Sequence, residues 1–342
     1  MTSTLRVGVI GCGFFAQNHL GAWANMDGVK LAAVCDLDPT KARDAAERYR
    51  AEAAYTDAAE MFARAKLDFV DIATTMESHQ QLVALAASHK LPVIVQKPLA
   101  PTWEGCKAIV ESCRAAGVPF MVHENTRFIT PMRRAREVID SGAIGTPIWG
   151  RVAFRTGHDI YEKQPYLAKV EQFAILDVGV HMLDIARYLM GEATRLYCQT
   201  QSVKPGIRGE DMATILLRHE SGATSVIECS YTSKIDPDPF PFILAHVEGT
   251  SGSLDLAPDN RMTVVSNGKT SVVDVSAAVL PWATPPWHGI QEAVARVERH
   301  WVDCLRDGRE PETSGADSLK TYGLVFSAYE SARTGEARAP LV

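Results

Sequence analysis

The first 123 residues alternate between two textures, and that alternation limits the possible folds more than any other feature. Short apolar runs occur at 5–10 (LRVGVI), 30–35 (KLAAVC), 68–73 (DFVDIA), 92–96 (PVIVQ) and 118–122 (VPFMV). Amphipathic stretches of helical period separate them, at roughly 14–26, 39–49, 77–89 and 102–115. Strands apolar on both faces need cover on both, so the pattern predicts a doubly wound parallel sheet flanked by helices.

The first strand-to-helix turn reads GVIGCGFFAQNH. Gly11 permits a tight turn, Gly13 lets backbone N–H groups approach a pyrophosphate, and Ala16 keeps the helix close to the strand. Phe14 and Phe15 lie in the same turn and count with it as cofactor contacts. The helix that follows offers unpaired N–H groups and a partial positive charge to phosphates. Asp36 ends the second strand, where a carboxylate accepts hydrogen bonds from ribose hydroxyls and repels a 2′-phosphate. Leu37 and Asp38 follow with no adjacent arginine, so NAD is favoured over NADP. The competing reading makes Asp36 only the cap of the helix begun by DPTKA.

Bulk properties exclude several classes. The 342 residues carry a net charge of −6, and the longest basic cluster is RRAR at 133–136, which is no nucleic-acid footprint. No apolar run approaches the ~18 residues of a membrane span. MTSTLRVGVI enters a strand pattern without a basic start or cleavage site. Seven cysteines without a CxxC pair fit reduced thiols and a cytoplasmic location.

After residue 124 extended patterns dominate: TRLYCQTQSV, DMATILLRH, TSVIECSYT, FILAHVEG and MTVVSN, with turns at ESGA and SNGK. They predict a second domain, 124–342, built on a large, mostly antiparallel open sheet that follows a first domain of 1–123. Residues 288–306 and 316–333 have helical character. Within ILDVGVHMLDIARYLMG, Asp177, His181 and Asp184 fall at i, i+4 and i+7, sharing one side of a helix with Leu183, Ala186, Tyr188 and Leu189. Read structurally, Asp177 caps the helix, His181 is a satisfied core histidine and Asp184 works at a helix and sheet contact. No HExxH or cysteine cluster supports a metal, and none is expected.

Four segments in order resemble the glucose–fructose oxidoreductase / inositol dehydrogenase (Gfo/Idh/MocA) family, and the likeness runs from residue 5 to the terminal YESARTGEARAP. Ala73, Thr74 and His79 match its A-T-P-x-x-x-H turn, with Thr75 replacing the proline. Lys97, Pro98, Leu99 and Ala100 match E-K-P-L-A, with Gln96 replacing the glutamate. HENTRFITPMRRAREVIDSGAIGTP resembles its hinge into the second domain, and Asp177 to Asp184 its D-x-G-x-H-x-x-D helix. The resemblance implies that Lys97, Asp177 and His181 gather over the nicotinamide and that 288–333 packs beside the first domain. It further implies that Thr74, Thr75, His79, Gln96 and Asn125 lie near the cofactor and that the protein forms homodimers or homotetramers. Around the substrate it places Glu124, Asn125 and Arg127, together with Arg155, His158, Gln164 and Tyr166 of FRTGHDIYEKQPYL. Trp282 and Trp287 either stack on a sugar ring or pack a proline-rich loop.

Alcohol oxidation by NAD removes a hydride from carbon and a proton from oxygen. An imidazole, titrating near ~6.5, suits His181 as the base. Asp177 orients it or binds the substrate hydroxyl, and Lys97 donates to the reacting oxygen. A lysine desolvated beside a positive ring can itself be the base, and the sequence leaves that alternative open. The resemblance suggests an aldose oxidised at C1 to its lactone, either a pentose (xylose, arabinose or apiose) or a hexose, or else a cyclitol. Keto-sugar reduction, dihydrodiol oxidation, NAD-dependent glycoside cleavage and a non-catalytic NAD-binding regulator are the alternatives.

Overall fold

The computed structural model describes residues 4–236 and 238–342. They divide into two compact units, one made of residues up to Phe128 with Val279–Leu319, the other of Ile129–Ala278 with Lys320–Val342. The break falls at 128/129 rather than 123/124 because Arg127 and Phe128 remain tied to the first unit. Arg127 donates to Asp317 at 2.9 Å and Phe128 packs against His300. Of the two last helices, His288–Asp307 belongs to the first unit, whereas Gly315–Thr334 belongs from Lys320 onward to the second.

The first unit runs β1 (Leu5–Ile10), α1 (Ala16–Ala24), β2 (Val29–Cys35), α2 (Pro39–Tyr49), β3 (Ala53–Tyr55), α3 (Ala58–Arg64), β4 (Phe69–Ile72), α4 (Met76–Ser88), β5 (Val93–Gln96), α5 (Trp103–Ala116) and β6 (Phe120–His123). All six strands are parallel in the order β3-β2-β1-β4-β5-β6, the doubly wound sheet that the sequence predicts. β4, β5 and β6 are buried along their whole length, because helices cover both faces. The short β3 and α3 were not legible as separate elements. Helix His288–Asp307 packs on α1, and its Trp301 joins Trp23 and Phe69 in edge-on aromatic contacts at the core.

The second unit holds α6 (Thr130–Asp140), β7 (Pro147–Arg155), α7 (Ile160–Lys163), α8 (Val180–Met190), β8 (Ala193–Gln201), β9 (Met212–His219), β10 (Thr224–Ser230), β11 (Leu244–Gly249), β12 (Gly252–Leu256), β13 (Arg261–Ser266) and β14 (Lys269–Asp274). The sheet order is β14-β13-β12-β11-β7-β10-β9-β8, antiparallel throughout except for β7 beside β10. Register sets its two faces. Cys198, Ile215, Ile227, Val152 and Ala245 form a buried row under α8, while Tyr197, Leu216, Val226 and Arg151 form a row on the opposite face. The SNGK turn joins β13 to β14 with Asn267 and Gly268 both at positive φ, as a two-residue hairpin requires. Among the described residues no helix is long and apolar enough to cross a membrane.

Candidate active site

In the first unit the glycine turn is shaped for a dinucleotide. Gly11 sits at φ +97°, and a Cβ there would lie 2.6 Å from the Ala73 carbonyl oxygen, so only glycine fits. A Cβ on Gly13 would meet nothing within 4 Å, which leaves that backbone open to an approaching phosphate. Gln17 braces the loop by donating to the Cys12 and Gly13 carbonyls, and no side chain caps the start of α1. Asp36 accepts from the Cys12 N–H at 2.8 Å and from the Asp38 N–H at 2.9 Å, which holds its carboxylate against the turn. The cap of α2 is Asp38, which accepts from Thr40 and Lys41, so the capping alternative for Asp36 falls away. Gly11, Gly13, Asp36 and the N–H groups opening α1 fit NAD. The Cys12 thiol beside them is pushed up to about 12 by burial, then by the Asp36 charge, and is inert. Phe14 is exposed and Phe15 meets the His19 ring edge-on.

At the other strand ends, Thr75 is the residue before α4, and the Thr74 hydroxyl accepts from Ser78 at 2.7 Å. His79 lies in the first turn of α4. It is wholly buried, with Nδ1 and Nε2 each 3.1 Å from a carbonyl, of Leu99 and Thr74, so it ties two loops of the sheet's carboxyl edge together. Burial holds its pKa below the ordinary imidazole value. Lys97 follows β5 directly and is half-buried; its backbone N–H donates to its neighbour Gln96 at 2.7 Å. Glu124 is buried and accepts from the Thr126 N–H, and Asn125 is buried beside it. Arg127 donates to Asp317 and to the Glu312 carbonyl. Trp282 packs against Gly21 of α1, where a Cβ would come within 3.0 Å of it, which favours the packing role.

In the second unit the key stretch is not one uniform α-helix. Ile175–Gly179 is a π turn leading into α8, the widened geometry that recurs at functional sites. From Phe173 to Arg187 every residue is buried except Asp177 and His181. Asp184 differs from them in burial. It is buried, accepts from Thr321 at 3.0 Å and faces Arg187, fastening α8 to the last helix rather than to the sheet. Asp177 lies inside the π turn and is not a cap; its Oδ2 accepts from the Tyr231 hydroxyl at 2.6 Å. Burial, then the Asp177 charge, raises the Tyr231 pKa well above the ordinary phenol value, so the hydroxyl stays a donor at every working pH.

The turn is held from beneath by Glu210. Its carboxylate accepts from the N–H groups of Phe173 and Ile175 and from the Tyr329 hydroxyl at 2.8 Å, while Tyr329 accepts from the Leu176 N–H. Burial still pushes Glu210 above the usual carboxylate range. Tyr231 and Glu210 were missed from sequence, since neither carries a local motif. Arg155 is turned to the sheet face opposite α8 and paired with Glu228 at 3.1 Å. Gln164 and Tyr166 are bonded to each other at 3.0 Å, and His158 stacks on Phe240.

Comparison with known proteins agrees with these halves. Residues 5–124 match the model described as the oxidoreductase family, NAD-binding Rossmann fold, and residues 132–255 match the Gfo/Idh/MocA C-terminal domain. A D-apiose dehydrogenase of Rhizobium rhizogenes is 47% identical, covering 97% of this chain and 96% of its own. One from Paraburkholderia graminis is also 47% identical, covering 98% and 91%. A solved oxidoreductase from Agrobacterium radiobacter, in complex with NAD+, L-tartaric acid and magnesium, is 46% identical with a TM-score of 0.97 over 98% of each chain. With a glycine turn that fits NAD and relatives nearly half identical along almost its whole length, the chain is an NAD-dependent oxidoreductase and belongs to the Gfo/Idh/MocA family.

Proposed function

We propose that this enzyme oxidises D-apiose at C1 to the lactone, with Lys97, Asp177 and His181 acting together on the substrate hydroxyl. NAD, when bound, accepts the hydride that leaves the sugar carbon. The imidazole of His181 takes the hydroxyl proton as the hydride departs. Lys97 donates from Nζ to the reacting oxygen and stabilises its developing charge. Asp177, fixed by Tyr231, holds the substrate hydroxyl and the imidazole in register.

The observation that carries the chemistry is the pairing of Asp177 and His181 as the two side chains not buried between Phe173 and Arg187. The substrate rests on the two D-apiose dehydrogenases that match this chain over nearly its full length. The test is NADH formation with a panel of D-apiose, xylose, arabinose, glucose and myo-inositol. D-apiose is expected to give the highest kcat/KM. Faster turnover of an inositol or a hexose would replace the substrate, and release from a nitrophenyl glycoside without net NADH would replace the reaction class. Lys97→Ala and His181→Ala are each expected to lower kcat by ~10²–10⁴-fold with NAD binding retained.

A further inference from the structure

Beneath Lys97 the first unit buries a polar cluster that the mechanism leaves unused: His19, Asp71, Gln96, His123 and Glu298, none more than 5% exposed. Donor atoms of His19, His123 and Glu298 lie within 4.8 Å of one another, a span that a divalent cation could bridge. The rings argue otherwise. His19 and His123 stack at 4.0 Å and 29°, so their in-plane lone pairs run nearly side by side instead of converging. His19 Nδ1 is also engaged with Asp71 Oδ2 at 2.8 Å.

We infer that Gln96 is a positioning residue for Lys97, gripping the lysine's backbone N–H and fixing His19 behind it as the Nδ1–H tautomer. The inference rests on the reading of Lys97 as a catalytic residue. The Gln96 carbonyl oxygen accepts from Lys97 N at 2.7 Å, which leaves the amide nitrogen to face His19 Nε2 at 3.3 Å. An amide nitrogen only donates, so the facing ring nitrogen carries no proton and accepts. The proton therefore sits on Nδ1 and is donated to Asp71 Oδ2, which also accepts from Trp23 Nε1 at 2.7 Å.

The titratable groups facing the His19 ring are Asp71 of β4, His123 of β6 and Glu298 of the His288–Asp307 helix. Burial, then the Asp71 charge, holds Glu298 well above the usual carboxylate range, so it adds no second anion. The Gln96 amide is thus tied at both ends, and the start of the Lys97 side chain is fixed by it.

Two variants test this in the full-length enzyme saturated with NAD. Gln96→Glu keeps the acceptor for Lys97 N–H but turns an acceptor toward His19, which then takes up a second proton. One histidine ring nitrogen is expected to move from the unprotonated to the protonated range in ¹⁵N spectra. Gln96→Leu removes both bonds and is expected to lower kcat by about 10–100-fold, with KM for NAD nearly unchanged. No histidine signal moving in Gln96→Glu, or full kcat in Gln96→Leu, overturns the inference. Lys97→Ala distinguishes its two layers. Full activity there overturns the catalytic reading and the inference with it; an inactive Lys97→Ala beside an active Gln96→Leu overturns the positioning role alone.

Discussion

In the first unit the side chain of Gln96 holds the backbone N–H of Lys97, whereas in the second the hydroxyl of Tyr231 holds the carboxylate of Asp177 itself. The same contrast recurs around each. Asp36 also grips backbone, at Cys12 and Asp38, while the π turn under Asp177 rests on the carboxylate of Glu210. A grip on the backbone decides where a reactive side chain begins and leaves its charge to its own surroundings. A grip on the side chain decides its charge as well, because a donor stabilises the anion it touches. The two units therefore respond differently when a grip is lost.

Tyr231→Phe is the sharpest way to break that contrast. A hydrogen bond to a charged group contributes about 1.5–3 kcal/mol, so kcat should fall by about 10–100-fold. The acid limb of the pH profile should also move to higher pH, since a carboxylate stripped of a donor protonates more readily. A pH–kcat series on Tyr231→Phe and Gln96→Leu checks both. If both variants displace the acid limb equally, the distinction between the two kinds of grip is wrong.

Asp36→Ser probes the backbone grip at the cofactor turn. The variant loses the anion that binds ribose hydroxyls and opposes a 2′-phosphate, so NAD affinity should drop by about tenfold while NADP binding improves. Fluorescence titration with both nucleotides reads this directly. An unchanged NAD preference would leave Asp36 as a brace for Cys12 and nothing more.

Much of this was legible in the sequence, for identifiable reasons. β4 and β5 are buried on both faces and read as unbroken apolar runs, and Gly11, Gly13 and Asp36 carry a spacing with a mechanism. β14 escaped because all of its residues are exposed, so no alternation marks it. β7 mixes Trp149, Gly150 and Arg151, since one face meets α8 and the other carries the Arg151–Glu228–Arg155 charges. Asp177 and His181 were found by spacing, but helical periodicity cannot reveal a π turn, nor that Asp184 is buried against Thr321. Tyr231 and Glu210 reach the turn from the residue after β10 and the segment before β9, a proximity created only by the fold. Glu298 reads as one more polar helix position until its surroundings are known.

Glu298→Gln tests the other half of the contrast, the claim that Glu298 behind Lys97 adds no second anion to Asp71. Glu298 is fully buried, has no side-chain hydrogen-bond partner among the described residues, and is held above the ordinary carboxylate range by burial, then by Asp71. A carboxyl whose folded pKa is raised contributes stability that is complete below its unfolded pKa and is lost as pH rises through the folded one. Across that window the loss is at most about 1.4 kcal/mol per pH unit. Glutamine does not titrate, so the variant should match wild type near the bottom of the window and become the more stable protein above it. The difference should amount to a few degrees of Tm over two pH units. Melting curves between pH 5 and 9 decide the matter. A variant less stable than wild type by the same amount at every pH would mean that Glu298 is a paired anion, and the reading of it as a neutral carboxyl would have to be abandoned.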